Sequence, residues 1–166
     1  MVADFALMIP ASCNMSRPNW DEYFIAIAKV IATRSQCIRA KHGAVIVSAD
    51  NRILSTGYNN PPAGLPGCEE LGKCIIVDRP GYGPSCRNTV HAEMNALFHL
   101  GDRSHQALKL YVTGTTCNTC LEHILKFGIK NIICGQHYNS DKGEEERDSL
   151  LKTFGATPKF MESING

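Results

Sequence analysis

Short apolar, β-branched runs that alternate with stretches of helical periodicity predict an α/β protein: three layers, α/β/α, around a mixed five-stranded sheet. Two observations carry that prediction. Strands separated by helical stretches pair in parallel, because a parallel pair needs a long crossover. Two other strands are joined by a short polar turn, which adds an antiparallel hairpin to the same sheet. The 166 residues suit one such domain, residues 17–166, with residues 1–16 as a head segment in front of it.

The elements follow in order. Trp20 to Arg34 is expected to be a helix that starts at Asn19 or Asp21 and turns Tyr23, Ile27, Val30 and Ile31 inward, with Phe24 beside them. Gly43 to Ser48, with Ala44-Val45-Ile46-Val47 at its centre, reads as a buried strand. Asp50-Asn51 signals the turn, and Ile53 to Tyr58 is the partner strand. Asn59 to Asn88 is rich in proline and glycine and holds three cysteines, so it is expected to be a long irregular loop pinned by something. A helix then runs from Asn88 or Thr89 to about Leu100, followed by a strand at Leu110–Thr113. Cys117 to Phe127 is the next helix, stopped by Gly128, and Asn131–Cys134 the next strand. In the last helix, Glu144 to Phe154, Leu150, Leu151 and Phe154 face inward and Glu144–Glu146 sit at the positive end of the dipole. Thr157 to Met161 closes the chain as a short strand.

Composition narrows the function. Hydrophobic residues make up 43% and charged residues 20%, as in ordinary globular proteins. A net charge of +1 provides no global field for nucleic acid or an anionic membrane, although a small anion could be held by local donors. No apolar run approaches the ~20 residues of a membrane span. The run Phe5–Ile9 is too short for a signal peptide and lacks a basic flank, so a cytoplasmic protein is expected. In that setting the eight cysteines are better read as metal ligands than as disulfides.

Two motifs supply the ligands. His91-Ala92-Glu93 opens one predicted helix, and Cys117-Asn118-Thr119-Cys120 opens another directly after a strand. One histidine and two cysteines make three ligands of a catalytic zinc, whose fourth position stays open. A helix start favours thiolates, the ligating form, through its free N–H groups and dipole. Glu93 lies two residues past the histidine, placed to move protons beside the metal and not to ligate it. Each motif alone is weak: His-Ala-Glu occurs by chance, and Cys-x-x-Cys also serves redox chemistry or core packing. A redox reading leaves His91 unexplained, and a zinc-stabilised binding module without catalysis leaves Glu93 unexplained.

His-x-Glu followed by Cys-x-x-Cys resembles the signature of zinc nucleobase deaminases. The chain is similar to the cytidine deaminase superfamily and, within it, to the deoxycytidylate (dCMP) deaminases. That resemblance rests on Gly43–Val47, on Gly57-Tyr58-Asn59-Asn60-Pro61-Pro62-Ala63-Gly64, on His91-Ala92-Glu93-Met94-Asn95-Ala96 and on Phe127-Gly128-Ile129-Lys130. Two positions depart from the pattern: Asn60 stands where glycine is usual, and Thr116 stands where proline precedes the first motif cysteine. Threonine is a good N-cap, so the helix start should survive.

The resemblance implies a cytidine deaminase-like fold and hydrolytic deamination of dCMP to dUMP and ammonia. Glu93 would shuttle protons to N3 and the leaving amine, Ala92 N–H would meet the pyrimidine carbonyl, and Asn59 would hydrogen-bond the deoxyribose. Tyr138, just past the fourth strand, would line the nucleotide site. It also implies a homo-oligomer, a hexamer in many members, controlled by dCTP and dTTP, with magnesium accompanying a nucleotide effector. Arg34, Arg39 and Lys41 are candidates for the phosphate, with surface solvation the alternative for each. Cys37, Cys68, Cys74 and Cys86 can close a second, structural zinc site, in which His42, His99 or His105 could replace one cysteine; free, partly buried thiols are the alternative. Cys13 is left without a role, and Cys134 reads as strand core. Rival substrates are dCTP, a free nucleoside such as deoxycytidine, and a tRNA base, the last disfavoured by the net charge.

Overall fold

The structure, a computed structural model, describes residues 17–79, 83–136 and 143–161. The head segment, Cys13 and Tyr138 lie outside the described residues. Helix α1 spans Trp20–Ala32 and opens with a reciprocal cap. The Glu22 N–H donates to Asn19 Oδ1 at 3.0 Å, and the Asn19 N–H donates to Glu22 Oε2 at 2.8 Å. Strands β1 (Gly43–Ser48) and β2 (Ile53–Tyr58) form the expected hairpin, with Asn51 taking the positive φ of its turn. Later in the chain come β5 (Ala107–Val112), β6 (Asn131–Cys134) and β7 (Thr157–Phe160), with the helices and the strands β3 and β4 described below in between.

The sheet runs β2-β1-β5-β6-β7. β1 is antiparallel to both β2 and β5, whereas β5–β6 and β6–β7 are parallel. It is therefore the mixed five-stranded sheet the sequence predicts. β1 is buried along its whole length, because both its faces are covered. Val45, Val47, Tyr111 and Ile133 point to α1 on one face. Ala44, Ile46, Leu110, Val112, Ile132 and Cys134 point the other way. There they meet α3 (Ala92–Phe98), α4 (Asn118–Lys126) and α5 (Glu144–Phe154). Leu151 is buried in this cluster, with Leu150 and Phe154 packed against it.

Helix α1 ends two residues earlier than expected and presents a different face. Phe24, Ile25, Ala28 and Ala32 are buried, while Tyr23 is 45% exposed and Val30 69%. Ile27 and Ile31 only flank the core. The helix has apolar residues on two sides, and the small ones decide which side packs. A Cβ on Gly43 would lie 2.1 Å from the Ala28 carbonyl oxygen and 2.7 Å from the Ala32 nitrogen. The α1 backbone thus rests directly on β1 where glycine meets alanine.

The segment after β2 is also more ordered than a structureless loop. It contains a short helix α2 (Cys68–Leu71) and a separate two-stranded sheet of β3 (Ile76–Arg79) and β4 (Gly83–Cys86). An isolated antiparallel bridge between Asn60 and Val90 closes it at the base, with N–H···O distances of 3.2 and 2.9 Å. Because Val90 is held extended there, α3 starts at Ala92 with His91 as N-cap, not at Asn88 or Thr89. A 3-10 turn over Gly101–Gln106 then leads into β5, which begins at Ala107, three residues before the expected start. Gly128, at φ 83°, ends α4 as expected.

Candidate functional site

The starts of α3 and α4 converge. His91 is the N-cap of α3, Cys117 the N-cap of α4, and Cys120 lies in the first turn of α4. The expected cap role of Thr116 therefore falls to Cys117. His91 Nδ1 is 3.5 Å from Cys117 Sγ and 3.4 Å from Cys120 Sγ. Zinc bonds of about 2.3 Å to sulfur and about 2.05 Å to nitrogen, at a tetrahedral angle, put N and S about 3.5 Å apart. Both N···S separations match the edges of such a tetrahedron, and all three atoms are within 4.8 Å of one another.

Packing holds this geometry. A Cβ on Gly57 would sit 2.2 Å from the Ala92 oxygen and 2.4 Å from the Ala96 nitrogen, so α3 is pressed onto β2. Asn95 Nδ2 donates to the Tyr58 carbonyl at 2.7 Å, and Ser55 Oγ to the Ala96 carbonyl at 2.5 Å. On the α4 side, Asn118 Nδ2 donates to the Gly143 carbonyl at 3.0 Å and to Glu146 Oε2 at 2.8 Å, joining α4 to the start of α5. Where proline is usual stands a buried Thr116; burial pushes the Cys134 thiol up, and the Thr116 N–H offsets part of that, which proline could not do. Thr115 Oγ1 donates to the Gln136 carbonyl at 3.3 Å.

Electrostatics match metal and acid–base chemistry. A hydrogen bond from Cys120, aided by His91, brings the Cys117 thiol down to about 4. The same shared bond pushes Cys120 up, so Cys117 is the thiol of the pair that ionises first. Glu93 is 5% exposed, and burial raises its carboxyl to about 7, against the pull of His91. The carboxyl is thereby poised near neutrality, as a group that exchanges protons at pH 7 must be.

Glu93, His91, Ala92 and Cys117 line a cleft of about 340 Å³, within the range of small-molecule sites. Asn59 and Cys37 line it too. Asn59 is buried: its Oδ1 accepts from the His42 N–H at 2.7 Å and its Nδ2 donates to the Ala40 carbonyl at 2.9 Å. The carboxamide thus fixes the 40–42 segment while facing the cleft. His42, Ser85, Thr89 and Thr115 complete much of the polar wall. The sequence carries no motif that singles these four out for the cleft, since they come from three separate stretches of the chain.

A second group forms in the segment after β2. Cys68, Cys74 and Cys86 bring their sulfurs within 4.8 Å of one another, with Cys68 and Cys86 3.6 Å apart. That spacing is close to the edge of about 3.8 Å for two sulfurs on one tetrahedral zinc. Cys37 is not a member of this group. Burial would raise the Cys86 thiol, but hydrogen bonds from the Thr89 hydroxyl and the Asn88 N–H bring it down to about 7. Burial pushes Cys68 up to about 11.

A His/Cys2 set with a neighbouring buried carboxyl, set at two helix starts on a mixed sheet, is a donor set that could hold a metal ion beside an acid–base group. Residues 18–136 match the cytidine and deoxycytidylate deaminase zinc-binding region, and the chain belongs to that family. It is 41% identical over 124 residues to the deoxycytidylate deaminase of Mycobacterium phage D29, covering 72% of this chain and 96% of that protein. It is 37% identical over 145 residues to the deoxycytidylate deaminase of Schizosaccharomyces pombe, where the match covers 86% of this chain and 44% of the yeast protein. Among solved structures, the dCMP deaminase of cyanophage S-TIM5, in complex with dCMP and dUMP, shares the fold with a TM-score of 0.67 at 24% identity. That match covers 88% of this chain and 99% of the phage chain. No helix among the described residues is long and apolar enough to cross a membrane.

Proposed function

We propose that this protein hydrolyses dCMP to dUMP and ammonia, with zinc held by His91, Cys117 and Cys120. The observation that carries the reading is a buried, near-neutral Glu93 in the same cleft as a tetrahedral His/Cys2 set. Two relatives named as deoxycytidylate deaminases, at 41% and 37% identity, support the choice of substrate.

Bound zinc would supply Lewis acidity and make hydroxide available near pH 7. Every other step belongs to the chain. Glu93 accepts the proton of the attacking water and delivers it to N3 of the pyrimidine. It then takes the proton of the new C4 hydroxyl and passes it to the amine at C4, which leaves as ammonia while the C4 carbonyl forms. The Ala92 N–H, at the first position of α3, orients the pyrimidine carbonyl, and Asn59 offers its carboxamide to the deoxyribose. Tyr138, which would line the nucleotide site, lies outside the described residues.

Three further features belong to this reading. Cys68, Cys74 and Cys86 hold a structural zinc, with the fourth ligand from a water or another side chain. The protein works as a cytoplasmic homo-oligomer. Nucleotide effectors, dCTP and dTTP, act on it as the resemblance implies. The two metal-competent groups among the described residues are sulfur- and imidazole-based, a donor set suited to zinc and not to magnesium.

The test is ammonia release from dCMP, dCTP, deoxycytidine and cytidine, with Glu93→Gln alongside. We expect dCMP to be the preferred substrate and Glu93→Gln to keep its zinc while losing about 10²–10⁴-fold in kcat. Full turnover by a zinc-replete Glu93→Gln protein would overturn the mechanism, and preference for another substrate would overturn the specificity.

A further inference from the structure

Helix α1 carries two apolar faces, and the sheet takes only one of them. Phe24, Ile25, Ala28 and Ala32 are buried. Trp20, Tyr23, Ile27 and Val30 follow at helical spacing and form a second stripe. Tyr23 and Val30 are exposed, Ile27 is half-buried, and Trp20 is 47% exposed. The Trp20 ring stacks on Phe24 with centroids 5.6 Å apart and meets Tyr23 edge-on at 5.8 Å. The stripe is thus an aromatic ledge fixed to the core on one side and open on the other. Among the described residues α1 is also the only helix in the core cluster on this face of the sheet, since α3, α4 and α5 lie against the opposite face.

Single exposed apolar residues are ordinary, but a continuous stripe marks a surface that something covers. Its size selects the occupant. A large aromatic offers about 150–250 Å², so the stripe leaves on the order of 300 Å² open, well short of the ~800 Å² per partner of a stable interface between folded proteins. A short segment suits it better than a second copy of the chain. The sequence holds such a segment directly before α1. Residues 1–16, outside the described residues, include Phe5-Ala6-Leu7-Met8-Ile9 and a single charged side chain, Asp4. At the other end, residues 162–166 hold one large apolar residue, Ile164. Ile9 precedes the Asn19 cap by ten positions, and ten extended residues reach about 33 Å. The stripe from Trp20 to Val30 is about 15 Å long, so the run can turn back and lie along the helix it precedes. Pro10 and Pro18 suit the turns this needs.

We propose that Phe5–Ile9 docks on the Trp20–Tyr23–Ile27–Val30 stripe of α1, so that the head of the chain closes this face of its own domain. The driving force is apolar burial. A tethered run also loses less translational freedom on docking than a separate partner would.

Trp20 is the only tryptophan of the chain, so its fluorescence reports on the stripe alone. The experiment compares the full-length wild-type chain with full-length Leu7→Asp and Val30→Glu. Val30 is exposed, so Val30→Glu should fold, and circular dichroism checks that it does. In both variants we expect the Trp20 emission to move to the red and acrylamide to quench it more strongly. Chymotryptic cleavage within residues 5–9 should be slow in the wild-type protein and about 10- to 100-fold faster in Val30→Glu, the worth of burying one large aliphatic side chain. Sedimentation velocity should give the same mass for Leu7→Asp and the wild-type protein.

Equal quenching of Trp20 in Leu7→Asp and the wild-type protein would overturn the docking, and so would unchanged cleavage within residues 5–9 in Val30→Glu. A second copy on the stripe would leave a different record: Leu7→Asp would not alter Trp20, whereas Val30→Glu would expose it and lower the mass. Exposure of Trp20 with a fall in mass in Leu7→Asp would place the run on a neighbouring subunit and overturn docking on its own helix. Should Val30→Glu unfold, the quenching and mass of Leu7→Asp decide alone.

Discussion

The two metal-competent groups of this molecule are held by different means. His91, Cys117 and Cys120 stand on the first turns of α3 and α4, and those helices pack against the buried face of the main sheet through Ala92, Ala96, Leu121 and Ile124. Cys68, Cys74 and Cys86 stand on a four-residue helix, a connecting stretch and the end of a two-stranded sheet that shares no strand with the main one. A centre built on core elements is preorganised by packing that forms whether or not a metal is present. A centre built on short elements gets much of its order from the metal itself. The first design suits chemistry, which requires fixed distances. The second suits adjustment.

The sharpest way to break this comparison is at the inner group. Cys117→Ser should abolish stoichiometric zinc at the inner site and activity with it, while circular dichroism stays native. Unfolding of that variant would show that the inner centre, too, depends on its metal.

The next largest effect should come from Glu93 in the zinc-free protein. Its carboxyl is raised from 4.5 to about 7 by burial, so the folded state favours the protonated form. That contribution is fully present below pH 4.5 and is lost as the pH rises to about 7. At pH 8 the buried carboxylate should therefore destabilise the fold, by on the order of 2–3 kcal/mol. Glu93→Gln should raise the denaturation midpoint of the zinc-free protein at pH 8, and the gain should vanish by pH 4.5. Equal midpoints at both pH values would mean that solvent reaches the carboxyl.

Gly57→Ala tests the seating of α3. Its Cβ would meet backbone atoms at 2.2 and 2.4 Å, so something must shift. We expect a loss of about 1–3 kcal/mol, the usual range for overpacking. A fall in kcat larger than that loss of stability explains would follow from displacing His91 and Glu93. A stable, fully active variant would show that the helix can move without harm.

The smallest global effect should come from Cys68→Ser. Denaturant midpoints should move by less than about 1 kcal/mol, whereas proteolysis within residues 61–89 should speed up several-fold. A large drop in global stability would erase the distinction between the two groups.

Much of this was readable in the residues. The strands are legible because Ala44–Val47 and Asn131–Cys134 are β-branched, apolar and bounded by turn formers. The inner ligand set is legible because its members cluster in two short motifs. The packed face of α1 is not, since Tyr23, Ile27, Val30 and Ile31 form as good a stripe as Phe24, Ala28 and Ala32. Only the close approach to Gly43 chooses between them. The β3–β4 pair is hidden because four-residue strands between prolines and glycines carry no periodic signal. The start of α3 was misplaced because Val90 bonds to Asn60, 30 positions back along the chain, and a long-range bond leaves no local trace. Cys37 shows the same limit: it was available as a fourth ligand, but its sulfur does not join the three-sulfur group, and nothing local in the sequence says so.

The bridge between Asn60 and Val90 has a consequence for how such a protein can change over generations. Two main-chain hydrogen bonds join the points where the chain leaves the sheet and where it returns to His91. The entry to the catalytic helix is thereby fixed by its own neighbours, and whatever hangs beyond the bridge is a side branch. Lengthening a branch whose ends are already closed changes its closure entropy only slowly with length. Descendants could lengthen or shorten the stretch beyond the bridge without re-registering the five strands of the main sheet. The bridge divides the chain into a part whose frame is fixed and a branch that, among the described residues, touches the cleft only through its last residues, Ser85, Cys86 and Thr89.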